Sequence, residues 1–470
     1  MHISFLNPQG NFDPADSYLT EHPDFGGQLV YVKETALATA DLGHRVDIVT
    51  RRIRDDGWPE FAADQDSYPG YEGRLRILRL PCGGDGFLAK EHLWAHLPEF
   101  VDNMLAFYGA DLPDFFTAHY ADGGYCAVLA EAKTGIGFTF TGHSLGAQKM
   151  DKLGTTRANM EAMEERYRFS RRIAAERMSM RRAHRIITST DQERREQYAH
   201  PLYAGTVDVN APRTFRVQTP GVNTRVFSHE PQPGDDEVER ALAGRLGGAD
   251  EPFVLVSSRL DEKKNIIGVV EAFARSARLR ERARLAICIR GIDDPFTEIS
   301  KLPAPDRSVL QPILDILESA GLRERTVFLN IGSQRELAAT YRRMAARGSV
   351  FALTAFYEPF GLAPIEAAAC GLACAATKNG GPSEIFEDGS GVLVDPFDAD
   401  DIAAGLLDAL ERQKELATSG RKLVLRKYTW QQTASGYLEA IQDVPRPDND
   451  LMHPDAGCLI EQYLEDNEQK

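Results

Sequence analysis

No apolar run in this chain approaches the roughly 20 residues that a membrane-spanning helix needs. The opening residues, MHISFLNPQG, also lack a signal-peptide pattern. Ile3–Leu6 reads instead as a first strand, so a cytoplasmic location is expected. Positive charge is in deficit as well: 54 Lys and Arg stand against 70 Asp and Glu, a net charge of −16. Such an acidic chain is a poor partner for nucleic acid or an anionic membrane surface. Cysteine is scarce, and Cys82, Cys126, Cys288, Cys370, Cys374 and Cys458 sit in apolar or small-residue stretches. Only Cys370 and Cys374 are close, with no His nearby to complete a metal site. Buried thiols in a reducing compartment are therefore expected. No internal repeat and no low-complexity block interrupts the chain.

What is present is an ordinary globular composition, 43% apolar and 26% charged over 470 residues, enough for two or three cores. Short β-branched runs alternate with helical patterns, which implies parallel sheets built from βαβ units. The first half predicts strands at Ile3–Asn7, Arg45–Thr50, Leu75–Leu80, Phe115–His119, Phe138–His143, Arg185–Ser189 and Phe215–Thr219. Helices are predicted between them, including Gln28–Leu42, His92–Tyr108, Gly123–Ala132, Asp191–Tyr198 and one long basic helix over Arg157–Arg182. The second half repeats the rhythm with strands at Phe253–Ser257, Leu285–Arg290, Val327–Ile331, Val350–Thr354, Ala373–Thr377 and Val392–Val394. Between the halves, 227–251 is rich in Pro, Gly and acid and reads as a boundary. The division predicted is an N-terminal domain over 1–226, a C-terminal domain over 227–428, a helix at 429–443 that packs back on the first, and a polar tail at 445–470. Both domains read as Rossmann-like, doubly wound α/β layers facing a cleft, with ligands at strand C-terminal ends.

The most informative stretch is EPFGLAPIE, from Glu358 to Glu366. A buried strand, a Pro/Gly turn and a new helix aim free backbone N–H groups and a helix N-terminus at one spot. Eight helical positions would separate the two carboxylates by about 12 Å, whereas glycosidase carboxyl pairs lie about 5 to 9.5 Å apart. The pair thus reads as two grips on one ligand, an anion with hydroxyls on either side, as in a sugar nucleotide. SSRLDEKKN at 257–265 follows the second half's first strand, and its Arg259 and Lys264 suit a diphosphate. Gly26-Gly27-Gln28 follows the first strand and opens a helix, where backbone approaches a ligand closely.

Two further stretches need weighing. Gly142–Gly146 matches the nucleophile-elbow pattern G-x-S-x-G, so a serine hydrolase using Ser144 is an alternative. Its histidine would have to come from His184, His200, His229 or His453, none in a suitable turn. Arg166–Arg185 is densely basic, and pairing along the helix surface with Glu161, Glu164, Glu165 and Glu176 accounts for most of it. Arg171 and Arg172, with Lys90 and Lys149, remain available as a second anion site for a phosphorylated acceptor.

Together these residues resemble the retaining GT-B glycosyltransferases of family 4, the large family that includes sucrose synthases and sucrose-phosphate synthases. EPFGLAPIE resembles that family's E-x7-E motif, SSRLDEKKN its donor-phosphate loop and FGGQLVYV its glycine loop. TKNGGPSE at 377–384 and YTWQQTASGYL at 428–438 are similar in the same way. TGHSLGAQK and SRRIAAE look closest to the sucrose-phosphate synthases, in their short bacterial form. A sucrose synthase or a mannosylfructose-phosphate synthase is the alternative within the family.

The resemblance implies a hexosyltransferase taking UDP-glucose, or another nucleoside-diphosphate glucose, and fructose 6-phosphate to sucrose 6-phosphate. It implies that Glu366 holds the ribose and Glu358 the hexose hydroxyls, that Arg259 and Lys264 neutralise the diphosphate, and that the Phe360, Gly361 and Leu362 amides assist. His143 would contact the donor hexose and Gly27 would touch the donor. Gly26, Gln28, Lys90, Tyr120, Ser144, Lys149, Arg171 and Arg172 are the acceptor candidates. Transfer is expected on the front face, with no obligatory protein-bound metal and no cofactor beyond the donor. A sucrose-phosphate phosphatase is the expected functional partner. The donor base and hexose stay open.

Overall fold

A computed structural model of the chain describes residues 1–18, 26–211, 214–246, 251–442 and 455–468. The described residues form two compact units, Met1–Thr219 with Trp430–Lys470, and Pro220–Thr429. The break falls in the Thr219-Pro220 turn, upstream of the acidic stretch at 227–251. That stretch is not merely a linker: Asp235–Leu246 is a helix of the second unit. Leu242 and Leu246 enter its core, and Arg342 clamps Asp235 through two bonds of 2.6 and 2.7 Å. The surface charges masked a helix whose apolar contacts are few but spaced one turn apart.

The first unit is built on β1 (His2–Leu6), β2 (Arg45–Arg51), β3 (Gln65–Asp66), β4 (Leu75–Leu80), β5 (Phe115–His119), β6 (Phe138–Thr141), β7 (Arg185–Thr188) and β8 (Phe215–Val217). Their order is β3-β4-β2-β1-β5-β6-β7-β8. All neighbours run parallel except the short β3 against β4. A two-residue strand carries no periodicity, so β3 escaped the sequence pattern. The order reverses between β1 and β5, and such a switch point opens a crevice at the strand C-terminal ends. The second unit has β9 (Phe253–Ser257), β10 (Arg284–Ile289), β11 (Thr326–Asn330), β12 (Val350–Leu353), β13 (Ala373–Thr377) and β14 (Val392–Val394). Its order, β11-β10-β9-β12-β13-β14, puts the switch between β9 and β12.

Both sheets are buried on both faces, as parallel sheets are; β1 and β5 are buried at every position. The helix Trp430–Ile441 lies against the first unit's helix Gly27–Asp41. Tyr31, Trp430, Ala434 and Tyr437 share a core cluster there. Gly457–Glu468, within the sequence's polar tail, is a helix that sends Ile460 and Leu464 into the first unit's core.

The long basic helix is two helices, Met160–Tyr167 and Phe169–Arg182, parted by Arg168 at φ 51°. Its charges are not mainly a paired surface either. Arg172, Arg177 and Arg182 are each only 9% exposed. Arg182 reaches Glu131 at 2.5 Å and Arg177 bonds the Leu202 carbonyl, both on other elements.

Helix Tyr120–Thr134 packs against this helix and against β1 through two glycines. A Cβ on Gly123 would lie 2.4 Å from the Leu6 carbonyl oxygen, and one on Gly124 2.2 Å from Ser179 Oγ. The Gly123 contact is with backbone, which cannot swing aside. Gly123→Ala is expected to destabilise the chain by about 1–3 kcal/mol through overpacking, read as a lower urea midpoint. An unchanged midpoint would reject this close approach.

Candidate active site

The second unit gathers three loops at the C-terminal ends of β9, β12 and β13. After β9, Asp261 accepts from Lys263 N–H at 3.0 Å and shapes a short turn over Glu262–Lys264. Asn265 follows at φ 49° and staples that turn down. Its amide donates to the Thr354 carbonyl at 3.0 Å and to the Pro396 carbonyl at 2.7 Å, and Thr354 Oγ1 donates back to its own carbonyl at 2.9 Å. Phe356 N–H donates to the Lys263 carbonyl at 3.0 Å. Lys264 Nζ then meets Glu358 Oε2 at 2.7 Å. These two predicted residues, 94 positions apart, are brought into direct contact. Arg259 is exposed on the same loop.

The turn after Glu358 is held by the Lys378–Pro382 segment that follows β13. Glu358 N–H donates to the Asn379 carbonyl at 3.1 Å, and Gly381 N–H to the Glu358 carbonyl at 2.9 Å. A Cβ at Gly380 would sit 2.1 Å from the Glu358 carbonyl oxygen, and one at Gly381 2.2 Å from that of Phe360. The paired glycines are therefore obligatory for the close approach. Gly361, at φ 110°, turns the chain into the helix Leu362–Ala369. The first-turn amides of that helix have no intrahelical acceptor and make an anion seat.

Glu366 lies one turn further on, and its carboxylate has no hydrogen-bond partner among the described residues. Burial without a compensating donor pushes its carboxyl up to about 8. Glu358, by contrast, is held as an ion pair. The two acids thus have different surroundings, in keeping with two grips rather than a proton-sharing pair.

The first unit carries its own cluster. Gln28, in the first turn of Gly27–Asp41, donates to Asn7 Oδ1 and accepts from Gln9 Nε2, both at 2.6 Å. Asn7 and Gln9, on the loop after β1, were not singled out from sequence. Their only signal was the position of that loop. Gly26 caps the helix and Gly27 is exposed beside it; Phe25 lies outside the described residues.

Lys90, Tyr120, Arg171 and Arg172 line one pocket together with Glu91, Trp94, Asp122, Tyr167 and Arg168. Arg172 lies over the Tyr120 ring at 4.5 Å and bonds Glu176 Oε1 at 3.0 Å. Its other end donates to the Ser144 carbonyl at 2.5 Å. Lys149 sits over the Tyr167 ring at 4.3 Å. Burial, then the Arg172 and Lys90 charges, push its ammonium down to about 8. Asp122 was not anticipated; burial pushes its carboxyl up to about 7. A concave pocket with this excess of cations suits a phosphomonoester.

The loop after β6 joins the pocket to the rest of the unit. His143 stands at φ 57°, and Ser144 N–H closes back on the Gly142 carbonyl at 2.6 Å. His143 Nε2 faces His119 Nδ1 at 3.0 Å. The hydrolase alternative gains nothing from this geometry. The left-handed residue of the turn is His143 rather than the serine, and among the described residues the one hydrogen-bond partner of Ser144 Oγ is the Arg172 guanidinium, at 3.4 Å. His200 is occupied with Asp151 at 2.9 Å.

Comparison with known proteins identifies the family and the fold. Residues 26–213 match the family model described as a glycosyl transferase 4-like domain, and 244–422 the model of glycosyl transferases group 1. A probable sucrose-phosphate synthase of Thermosipho melanesiensis is 44% identical over 94% of this chain and 96% of its own length. The chain belongs to the sucrose-phosphate synthase family. The maize sucrose-phosphate synthase is 32% identical over 99% of this chain, which spans 50% of that longer protein. In fold, the chain is similar to the sucrose-phosphate synthase of Thermosynechococcus elongatus, with TM-score 0.64, 23% identity and coverage of 93% and 98%. It is also similar to Anabaena HepE in complex with UDP-glucose, with TM-score 0.57, 15% identity and coverage of 94% and 99%. Two parallel-sheet α/β units of GT-B type and a glycosyltransferase of hexosyl class are thereby established. No helix among the described residues is long and apolar enough to cross a membrane.

The raised Glu366 carboxyl has a consequence for stability. Folded, it holds its proton to about pH 8; unfolded, it loses it near its ordinary value, about 4.3. Stability from this group is full below that lower value and is lost as pH rises toward 8. Glu366→Gln is expected to raise the melting temperature at pH 9 but not at pH 4.5. An equal shift at both pH values would reject the assignment.

Proposed function

We propose that the chain transfers glucose from UDP-glucose to fructose 6-phosphate with retention, giving sucrose 6-phosphate and UDP. The observation that carries this reading is the cationic pocket of Lys90, Arg171 and Arg172, with Lys149 near it. Lysine and arginine outnumber the acids in this lining, and a phosphate would offset the excess. In this reading Gly26, Gln28, Tyr120 and Ser144 contact the acceptor sugar.

On the donor side, Glu366 accepts from ribose hydroxyls and Glu358 from the hexose. Arg259, Lys264 and the amides of Phe360, Gly361 and Leu362 take the diphosphate, Gly27 approaches the donor, and His143 meets the hexose. The HepE complex, a protein of similar fold bound to UDP-glucose, supports a nucleotide-sugar donor. In this reading, the acceptor hydroxyl attacks on the side from which the diphosphate leaves, and a diphosphate oxygen takes its proton. Charge grows on the leaving group, where preorganised cations and amides lower the barrier most. No carboxylate nucleophile and no protein-bound metal is required. The reaction sits in the cytoplasm, and its product is the substrate of a sucrose-phosphate phosphatase.

Mixing the protein with UDP-glucose and fructose 6-phosphate is expected to yield UDP and sucrose 6-phosphate. UDP release with free fructose alone would instead establish a sucrose synthase, and turnover only with GDP-mannose the mannosyl alternative. Lys264→Ala is expected to lower kcat about 100-fold or more, the scale for removing a preorganised charge-stabilising group, with an unchanged melting temperature. Near-normal turnover would remove Lys264 from the reaction. As Lys149 needs its charge, the acceptor KM is expected to rise as pH passes about 8. A KM flat from pH 7 to 9 would exclude Lys149 from the phosphate.

A further inference from the structure

His143 does not stand alone. Its Nε2 is 3.0 Å from His119 Nδ1, and His119 Nε2 is 2.8 Å from Thr117 Oγ1. His119 ends β5 and is fully buried; Thr117, two residues earlier, is 2% exposed. The imidazole of His119 is clamped between the Phe5 ring, stacked at 5.7 Å, and the Tyr437 ring at 6.2 Å. Tyr31 meets the His143 ring edge-on at 5.0 Å. Both imidazoles are thus fixed in plane and in contact.

The direction of this chain follows from donor satisfaction. Thr117 Oγ1 has no other hydrogen bond among the described residues. Were it to accept from His119 Nε2–H, its own buried O–H would have no acceptor. It therefore donates to His119 Nε2, which leaves the His119 proton on Nδ1. That N–H donates to His143 Nε2, so the remaining proton of a neutral His143 is on Nδ1. His143 Nδ1 has no partner among the described residues and is not among the buried polar atoms. It is the one open end of the chain.

We infer that His119 is a positioning residue that fixes His143 as a neutral imidazole presenting a single Nδ1–H donor to the substrate. This rests on the proposed reading that His143 meets the donor hexose, and it adds what the histidine offers there: a donor to a hexose oxygen, not a base or a cation. A second proton on His143 would set Nε2–H against His119 Nδ1–H with no acceptor between them. Burial separately holds the His143 pKa down to about 3 and that of His119 well below its usual range. Among the described residues, the other titratable groups at the pair are Tyr31 and Tyr437, with Tyr198 against the Gly142 amide, and burial raises all three phenols.

The backbone supports the same geometry. A non-glycine residue in left-handed backbone persists where its surroundings over-determine it. Around His143, Gly142 N–H donates to Tyr198 Oη at 3.2 Å and Arg172 grips the Ser144 carbonyl.

The test compares His119→Asn, whose amide N–H can stand where Nδ1–H stood, with His119→Asp, which offers only acceptors there. Long-range 1H–15N spectra of the histidine-labelled full chain, without substrate, are expected to show His143 protonated on Nδ1 and bare on Nε2 from pH 5.5 to 8.5. His119→Asn is expected to keep that tautomer and kcat/KM within about fivefold. His119→Asp is expected to move the proton to Nε2 and lower kcat about 100-fold, the scale for one lost preorganised donor. A new acidic limb should also appear in its pH profile. A wild-type His143 protonated on Nε2, or equal losses in both variants at equal melting temperature, would overturn the inference. The tautomer is read without substrate, so an inactive wild type rejects the proposed reaction while the spectrum still decides the tautomer. Should both variants fail to fold, the wild-type spectrum remains decisive.

Discussion

The first unit's candidate site depends on one buried carboxylate. Glu176 is fully buried, and accepts from Gly146 N–H at 2.9 Å, from the Tyr203 hydroxyl and from Arg172 Nε at 3.0 Å. Burial raises its pKa, with the Arg172 charge acting against that rise. A buried ion pair contributes little net stability, but removing one partner costs about 3–5 kcal/mol. What Glu176 provides is location. It fixes Arg172, and Arg172 in turn holds the Ser144 carbonyl and the Tyr120 ring. The left-handed turn at His143 and the floor of the cationic pocket therefore share one anchor.

The second unit solves a related problem with backbone rather than charge. Two loops can bring Lys264 to Glu358 only if they pass at contact distance, and Asn265, Gly380 and Gly381 permit that. Asn265 satisfies two carbonyls that would otherwise be orphaned at the sheet edge. The glycines remove the Cβ atoms that would strike the Glu358 and Phe360 carbonyls. The two loops are thus held together by backbone contacts rather than by charge alone.

Much of this architecture was legible in the chain. Strands such as Phe115–His119 and Ala373–Thr377 end where their apolar runs end, because a parallel sheet buries both faces and leaves an uninterrupted signature. The boundaries that misled were those where charge conceals burial. Arg177 and Arg182 read as solvated surface because single-sequence patterning assigns arginine outward, while tertiary partners drew them in. Asp235–Leu246 read as linker for the same reason. Asn7, Gln9, Asp122 and His119 carry no motif of their own; their roles arise from strand neighbours in space.

The sequence by itself determined the alternation of strands and helices in two α/β halves and the loops in which Lys264, Glu358 and Glu366 stand. Local periodicity and turn chemistry suffice for these, since they act over a few residues. Only the tertiary structure decided which distant groups meet: Lys264 with Glu358, and His143 with His119. Each pair joins segments at the C-terminal ends of two different strands. Parallel pairing sets those neighbours through contacts far apart in the chain, and no local pattern encodes them.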